Sequence, residues 1–252
     1  MAINADLTNK IALITGATSG LGQRFAEVLA ANGAKVVITG RRVERLEVLK
    51  ADIEKDGGTA LALSLDVLDL TSIEACVATV EEKLGPIDIL VNNSGIGDPA
   101  PATEITEALY DRVMDTNAKG AFFVAQAVGK QMIAHKIEGR IINIASIAAH
   151  KVLPGLSVYS MSKAAVAHMT RALAKEWARF GINVNAICPG YIDTEINHEF
   201  WSTDRGKGMI ASMPRRRVGV PSDLDAAILM LAATEARFIT GAMIDVEDAQ
   251  TL

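Results

Sequence analysis

Residues 10–33 constrain this chain more than any other stretch. Lys10-Ile-Ala-Leu-Ile-Thr15 is a short apolar run of strand type, and it passes directly into Gly16-Ala-Thr-Ser-Gly20-Leu-Gly22. Beyond the glycines, Leu21, Phe25, Val28 and Leu29 recur at helical spacing, and Asn32-Gly33 supplies a stop. Strand, glycine loop and helix, in that order, make the first half of a dinucleotide-binding unit. Glycines let the backbone turn tightly and approach a pyrophosphate, and a helix N-terminus offers free N–H groups and partial positive charge to the anion. The spacing is G-x-x-x-G-x-G rather than the commoner G-x-G-x-x-G, so the loop alone is weak evidence for a nucleotide.

The rest of the chain repeats this alternation. Strand-like runs at Ile11–Thr15, Lys35–Thr39, Ala60–Leu65, Ile87–Val91, Arg140–Ile144, Ile182–Ile187 and Ala242–Val246 are separated by helical patterns near 21–31, 43–55, 72–84, 107–135, 159–180 and 222–234. Thr71-Ser-Ile-Glu74 reads as a capping box opening the third helix. Such alternation predicts an α/β fold, a Rossmann-like doubly wound parallel sheet of about seven strands with helices on both faces. No repeat, low-complexity tract or Pro/Gly linker interrupts it, so residues 1–252 are expected to form a single domain. Ligands of open α/β sheets bind outside the carboxyl ends of the strands. Gly16–Gly22, Gly40-Arg41-Arg42, Asp66-Val67, Asn92–Gly95, Ser146 and Pro189–Thr194 each follow a predicted strand, so they converge on one edge.

Tyr159-Ser-Met-Ser-Lys163 places a phenol and an ammonium on one helix face, with Ser146 thirteen residues upstream of the tyrosine. Free tyrosine titrates near ~10, and a nearby cation favours its phenolate, so the pair can move a proton. The Y-x-x-x-K pattern is common on solvated helix faces; its company in this sequence gives it weight. Thr15-Gly16-x-x-x-Gly20-x-Gly22, Leu65-Asp66-Val67, Asn92-Asn93-Ser94-Gly95, Asn117-x-x-Gly120, Ser146, Tyr159-x-x-x-Lys163 and Pro189-Gly190-x-x-x-Thr194 occur in this order over nearly the whole chain. In these motifs the sequence closely resembles the short-chain dehydrogenases/reductases in their compact form, including 3-oxoacyl-acyl-carrier-protein reductases and related alcohol and ketone reductases. It departs from that pattern at Ser94, where alanine is usual, and at Val246-Glu247-Asp248-Ala249, which replaces a stretch commonly ending in paired glycines.

The resemblance implies an NAD(P)-dependent interconversion of a ketone and a secondary alcohol. Tyr159 would be general acid and base, Lys163 would hold the nicotinamide ribose and lower the Tyr159 pKa, Ser146 would bond the substrate oxygen, and Asn117 would bind a water linking Lys163 to solvent. It implies that the cofactor is held by Gly16, Thr18, Ser19, Gly20, Leu21, Gly22, Arg41, Arg42, Asp66, Val67, Asn93, Ser94, Gly95, Tyr159, Lys163, Pro189, Gly190, Ile192 and Thr194. NAD-preferring members usually carry Asp at the Gly40 position; its absence, with Arg41 and Arg42 following, favours NADP, with NAD the alternative. Ser19 speaks the other way, since many NADP-preferring relatives place a basic residue there. A lid is expected at about 191–217, carrying Phe200, Trp201, Met209, Ile210 and Met213, with Ile96, Ile147, His150 and Val152 on the facing wall. An apolar or mixed ketone follows, such as a 3-oxoacyl thioester, a cyclic ketone or an aryl ketone. Relatives commonly form homotetramers through the long helices and the last strand.

Composition removes other classes. A net charge of −5 argues against nucleic acid as partner, and Arg215-Arg216-Arg217 reads as a solvated or lid segment. Residues 1–10 lack a basic head and apolar stretch, and the longest clean apolar run, Ala226–Ala233, falls short of the ~20 residues a membrane span needs. Cys76 and Cys188, without CxxC, read as buried free thiols of a cytoplasmic protein. Ser146 lacks the glycines of a hydrolase elbow, and His135, His150, His168 and His198 show no local metal spacing, so no metal is expected. The remaining rival is a catalytically idle nucleotide-binding sensor or scaffold, which would have no chemical need for Asn117, Ser146, Tyr159 and Lys163 together.

Overall fold

Alternate residues of the first strand point into two different cores, and this sets the architecture. The computed structural model describes residues 5–250; residues 1–4 of the stretch read for a leader, and the last two of the chain, lie outside them. Strand β1 (Ile11–Ile14) lies between β2 (Lys35–Gly40) and β4 (Ile89–Asn92), with β3 (Thr59–Ser64), β5 (Arg140–Ile144), β6 (Asn183–Pro189) and β7 (Met243–Val246) completing the sheet. All seven strands are parallel, in the order β3-β2-β1-β4-β5-β6-β7.

The helices α1 (Gly20–Ala31), α2 (Val43–Lys55) and α9 (Asp225–Ala232) cover one face, where Ala12 and Ile14 pack with Phe25, Leu29, Leu46, Ile228 and Leu231. On the other face Ile11 and Leu13 join Val77 and Val80 of α3 (Leu70–Leu84), Val124 and Val128 of α5 (Ala121–Ala134), and Leu173 of α6 (Ser157–Trp177). Leu13 and Ile14 are both fully buried, each side chain contributing roughly 1.5–3 kcal/mol of apolar burial. A strand buried on both faces reads as a continuous apolar run rather than an alternating one, which is why Ile-Ala-Leu-Ile is uninterrupted. The chain moves outward from β1 to β3 and then crosses to β4 on the opposite side of β1. At that reversal the loops leaving β1 and β4 diverge and open a crevice.

The structure differs from expectation in three places. The third helix begins earlier, at Leu70, and its cap is Asp69, whose carboxylate accepts from the Thr71 N–H at 2.9 Å. A carboxylate at the N-cap also meets the helix dipole, an advantage Thr71 lacks. The helix expected over 107–135 is α4 (Glu107–Met114), a π-helical turn at Asp115–Gly120, and then α5. Residues 191–217, without expected elements, contain α7 (His198–Ser202) and α8 (Asp204–Ser212), the latter capped by Thr203 Oγ1 accepting from Gly206 N–H at 3.1 Å. Urea unfolding checks the corrected cap: Asp69→Ala is expected to cost ~0.5–2 kcal/mol and Thr71→Ala no more than ~0.5 kcal/mol. Equal losses for the two variants would return the cap to Thr71.

Candidate active site

The loop after β1 is held from the far side of the crevice. Asn93 Nδ2 donates to the carbonyls of Thr15 at 3.0 Å and Gly16 at 3.2 Å, while Thr15 Oγ1 accepts the N–H groups of Asn93 and Ser94, each at 3.0 Å. Gly22 is the glycine this contact demands, since a Cβ there would lie 2.3 Å from the Gly16 oxygen and 2.5 Å from Asn93 Nδ2. Leu21 packs from the first turn of α1 into the core on that face, and Gly20, at φ +59°, faces Thr194 from the loop after β6. Ser19 is the N-cap of α1 but caps it with no side-chain bond, which leaves its N-terminal N–H groups for an anion. The Ser19 hydroxyl instead receives Arg42 Nη2 at 3.0 Å, and Thr18 Oγ1 receives the same guanidinium from Nη2 at 2.6 Å and Nε at 3.2 Å.

The remaining residues expected to hold the cofactor are placed as follows. Gly40 lies against Thr18, whose methyl would be 2.8 Å from an added Cβ, so the place of an acidic side chain is already filled. Asp66 accepts from Leu68 N–H at 3.1 Å and Val67 packs over Gly120, where a Cβ would lie 2.9 Å from the Val67 oxygen. Gly95 faces Asn117 Oδ1 and Lys163 Nζ, at 3.3 and 3.4 Å from its would-be Cβ. Pro189 ends β6; Gly190 N–H donates to the Val246 carbonyl at 3.0 Å. Buried Ile192 bridges to Gly219, and Thr194 N–H donates to Asn197 Oδ1 at 2.8 Å. These residues fit a dinucleotide: unshielded backbone, an uncapped helix start, and a guanidinium over the loop.

Across the crevice, Ser146 follows β5 and opens a 3-10 turn, its Oγ accepting from Ala148 N–H at 3.1 Å. Tyr159, one turn into α6, hydrogen-bonds the same Ser146 hydroxyl. Lys163 lies one turn further, buried, with Nζ donating to the Ile144 carbonyl at 2.8 Å and standing 5.8 Å from the Tyr159 ring centroid. Asn117 completes the group from the π turn. Its Oδ1 accepts from Ile96 N–H at 2.8 Å, and its Nδ2 donates to the Ile96 carbonyl at 2.8 Å and to Ser162 Oγ at 3.0 Å. Thus its bonds run across the crevice wall, not within its own helix. The π turn widens the helix at the one residue whose amide has to reach out.

The electrostatics differ from the sequence expectation in one respect. Burial pushes the Tyr159 phenol up, and the Ser146 hydrogen bond opposes that shift only in part. Lys163, 5.8 Å from the ring centroid, directs its ammonium to the Ile144 carbonyl and is itself pushed down to about 8 by burial.

Sequence reasoning missed three long-range ion pairs at the rim. Arg45 of α2 binds Glu195 through Nη1 at 2.6 Å and Nη2 at 2.9 Å, joining the second strand's exit to the loop after β6. Arg215 and Arg217, read as solvated or lid residues, both pair with Asp248, at 3.2 and 2.7 Å. Partners 150 and 31 residues apart leave no local signal. Of the expected substrate wall, His150 and Val152 are exposed and Ile96 half-buried, whereas Ile147 is 1% exposed and belongs to the core.

An α/β sheet with a glycine loop at its switch point and a Ser, Tyr and Lys cluster facing it defines a dinucleotide-dependent oxidoreductase. The family model for short chain dehydrogenases matches residues 10–205. Galactitol 2-dehydrogenase of Agrobacterium fabrum is 41% identical over 243 residues, covering 92% of this chain and 94% of that one. NAD-dependent glycerol dehydrogenase of Listeria innocua is 36% identical, covering 98% and 96%. A solved structure of a candidate 2-deoxy-D-gluconate 3-dehydrogenase from Agrobacterium tumefaciens, with bound NADP, has a TM-score of 0.88 at 38% identity and covers 97% of each chain. The chain belongs to the short-chain dehydrogenases; it is an oxidoreductase of that family, using a nicotinamide cofactor on a small alcohol or ketone.

The buried ammonium has a measurable consequence. Lys163 titrates at about 8 in the folded protein against 10.5 ordinarily, so between those values the unfolded chain holds a proton that the folded chain lacks. Unfolding free energy therefore rises with pH across that interval, whereas the raised thiols of Cys76 and Cys188 and the raised Tyr159 oppose it at higher pH. The difference between the unmodified protein and Lys163→Met in urea unfolding isolates the lysine, and is expected to grow in favour of the unmodified protein above pH 8. Parallel curves would show that Lys163 is not buried as an ammonium.

Proposed function

We propose that this protein interconverts a secondary alcohol of a polyol or sugar acid and the corresponding ketone, with NADP as its preferred cofactor. The observation that carries the chemistry is the cluster of buried Ser146, Lys163 and Asn117 around half-buried Tyr159 at the rim of the crevice. The polyol class is supported by the relatives named above, and by His150 near that rim. It replaces the apolar ketones expected from the lid residues Phe200, Trp201, Met209, Ile210 and Met213 and the facing wall. The idle sensor loses ground for the same reason as before, since two buried polar side chains and a buried ammonium are costly to keep without chemistry.

The cofactor, when bound, supplies or accepts the hydride. Tyr159 gives its proton to the substrate oxygen in reduction and removes it in oxidation, Ser146 bonds that oxygen, and Lys163 holds the ribose hydroxyls. Asn117 fixes the Ile96 backbone and Ser162 beside Lys163, which supports the expected water path from that lysine to solvent. Because burial raises Tyr159, the acid form prevails at neutrality. Alcohol oxidation is therefore expected to quicken as pH rises into the alkaline range and ketone reduction to slow. Tyr159→Phe keeps the ring and removes the proton, and turnover should fall at least ~10²-fold. Near-normal turnover in that variant, across a panel of polyols, sugar acids and aryl ketones, would discard the mechanism.

Cofactor preference rests on Arg42, which reaches Thr18 and Ser19, with exposed Arg41 beside it. The guanidinium of Arg42 at Ser19 supports this reading, because it brings to that position a charge that the serine lacks. Arg42→Ala should weaken NADPH by ~1.5–3 kcal/mol, the scale of a hydrogen bond to a charged group, and leave NADH little changed. Gly40→Asp is the poorer test, since its side chain would displace Thr18. An unmodified protein preferring NADH in fluorescence titrations would overturn the assignment. The same reading includes the lid at about 191–217, a single domain, a cytoplasmic location and a homotetramer, for which Tyr110, Phe122 and Met161 leave exposed apolar surface on α4, α5 and α6. Among the described residues no helix is long and apolar enough to cross a membrane. Light scattering at micromolar concentration tests the tetramer, and a monomer would remove it.

A further inference from the structure

Three residues with no shared sequence motif meet beside Ser146. His150 lies in the loop after β5, Cys188 near the end of β6 and Asp245 in β7. Their ligating atoms all lie within 4.8 Å of one another, and His150 Nε2 is 3.5 Å from Asp245 Oδ1. Among the described residues this is the one such group of three or more. Cys188 is fully buried, while the side chains of His150 and Asp245 are 41% and 45% exposed, so the group opens to solvent on one side and closes on sulfur at the other.

We propose that His150 Nε2, Cys188 Sγ and Asp245 form a binding site for a thiophilic divalent cation of the zinc class. One thiolate, one imidazole and one carboxylate suit zinc by ligand softness, and three protein ligands leave a fourth position for water. Zinc bonds of ~2.0–2.3 Å need the ligand atoms drawn together by about an ångström from the widest spacing, and exposed His150 and Asp245 are free to make that move. On binding, the thiol loses its proton to solvent and the cation takes its place between sulfur and carboxylate. The Cys188 thiol is held protonated, pushed up to about 12 by burial and by Asp245, so the cation relieves the same carboxylate that the thiol proton now serves.

The site is coupled to the chemistry by contact. The Ser146 N–H is hydrogen-bonded to Cys188, and Lys163 lies within electrostatic reach of the same sulfur. A bound dication therefore places charge beside the ammonium that holds the ribose and fixes the strand end beside Ser146, so it slows turnover. Sequence reading expected no metal, because ligands at 150, 188 and 245 share no spacing.

Cobalt(II) titration of the full chain, followed by thiolate-to-cobalt charge-transfer absorption, is the test. One equivalent bound with that absorption supports the site, together with its disappearance in Cys188→Ser and at least a tenfold loss of affinity in Asp245→Asn. Since Cys188→Ser alters a buried position, the exposed Asp245→Asn and His150→Ala variants report independently of folding. Zinc chloride should inhibit the unmodified protein reversibly, with EDTA restoring it. No charge-transfer absorption, or cobalt affinity unchanged in Asp245→Asn and His150→Ala, would overturn the proposal.

Discussion

The side chain of Asn93 ties the two halves of the crevice together, and much of the site depends on it. Its amide donates to two carbonyls of the loop after β1, while Thr15 Oγ1 accepts two backbone N–H groups from its own loop after β4. Strand order reverses between β1 and β4, so without such a bridge these loops would diverge into solvent with their polar groups unpaired. Once they are joined, the start of α1 is aimed at the crevice and Gly22 has no room for a side chain. The uncapped helix N-terminus is a cost to α1 taken alone. It leaves N–H groups free at the crevice, a surface that suits an anion.

The Tyr159 and Lys163 pair is built on a similar tension. Lys163 is one of few buried charges, and its ammonium has only the Ile144 carbonyl at hydrogen-bond distance among the described residues. Burial lowers its pKa and raises that of Tyr159, so both groups are pushed toward their neutral forms. Groups held this way change protonation state readily when a neighbour's charge changes. The arrangement is suited to moving a proton, and poorly suited to stabilising the fold.

Those elements whose causes are local were legible in sequence. The seven strands follow from apolar runs, and α1, α2 and β5 fall within a residue of expectation because periodicity and the Asn32-Gly33 stop are contained in a short window. The errors arise where the cause lies elsewhere in the fold. A π turn at 115–120 is invisible to periodicity; Asn117 needs it to reach Ile96 and Ser162, and Gly120 to sit under Val67. Arg42 rather than Arg41 reaches the loop because of how α2 starts, a matter of backbone direction at Gly40 that no residue type announces. Four residues of spacing show that Tyr159 and Lys163 share a face, but not that the ammonium is buried and directed to the Ile144 carbonyl.

The C-terminal turn shows how a departure from the family pattern is absorbed. Asp248 and Ala249 stand where paired glycines are common, and the chain still takes the left-handed path there, with φ of 57° and 65°. Each non-glycine residue in that region costs ~1–2 kcal/mol. The turn is held in place by several contacts. Asp248 pairs with Arg215 and Arg217, the Gln250 carbonyl accepts from Lys151, and Gln250 Oε1 accepts from Tyr191 N–H at 2.8 Å. Gly190 has no side chain because Glu247 and Gln250 pack against it, at 2.7 and 2.5 Å from its would-be Cβ. The strained turn thus anchors both ends of the 191–217 segment, so the same substitution that costs backbone energy binds the candidate lid to the last strand.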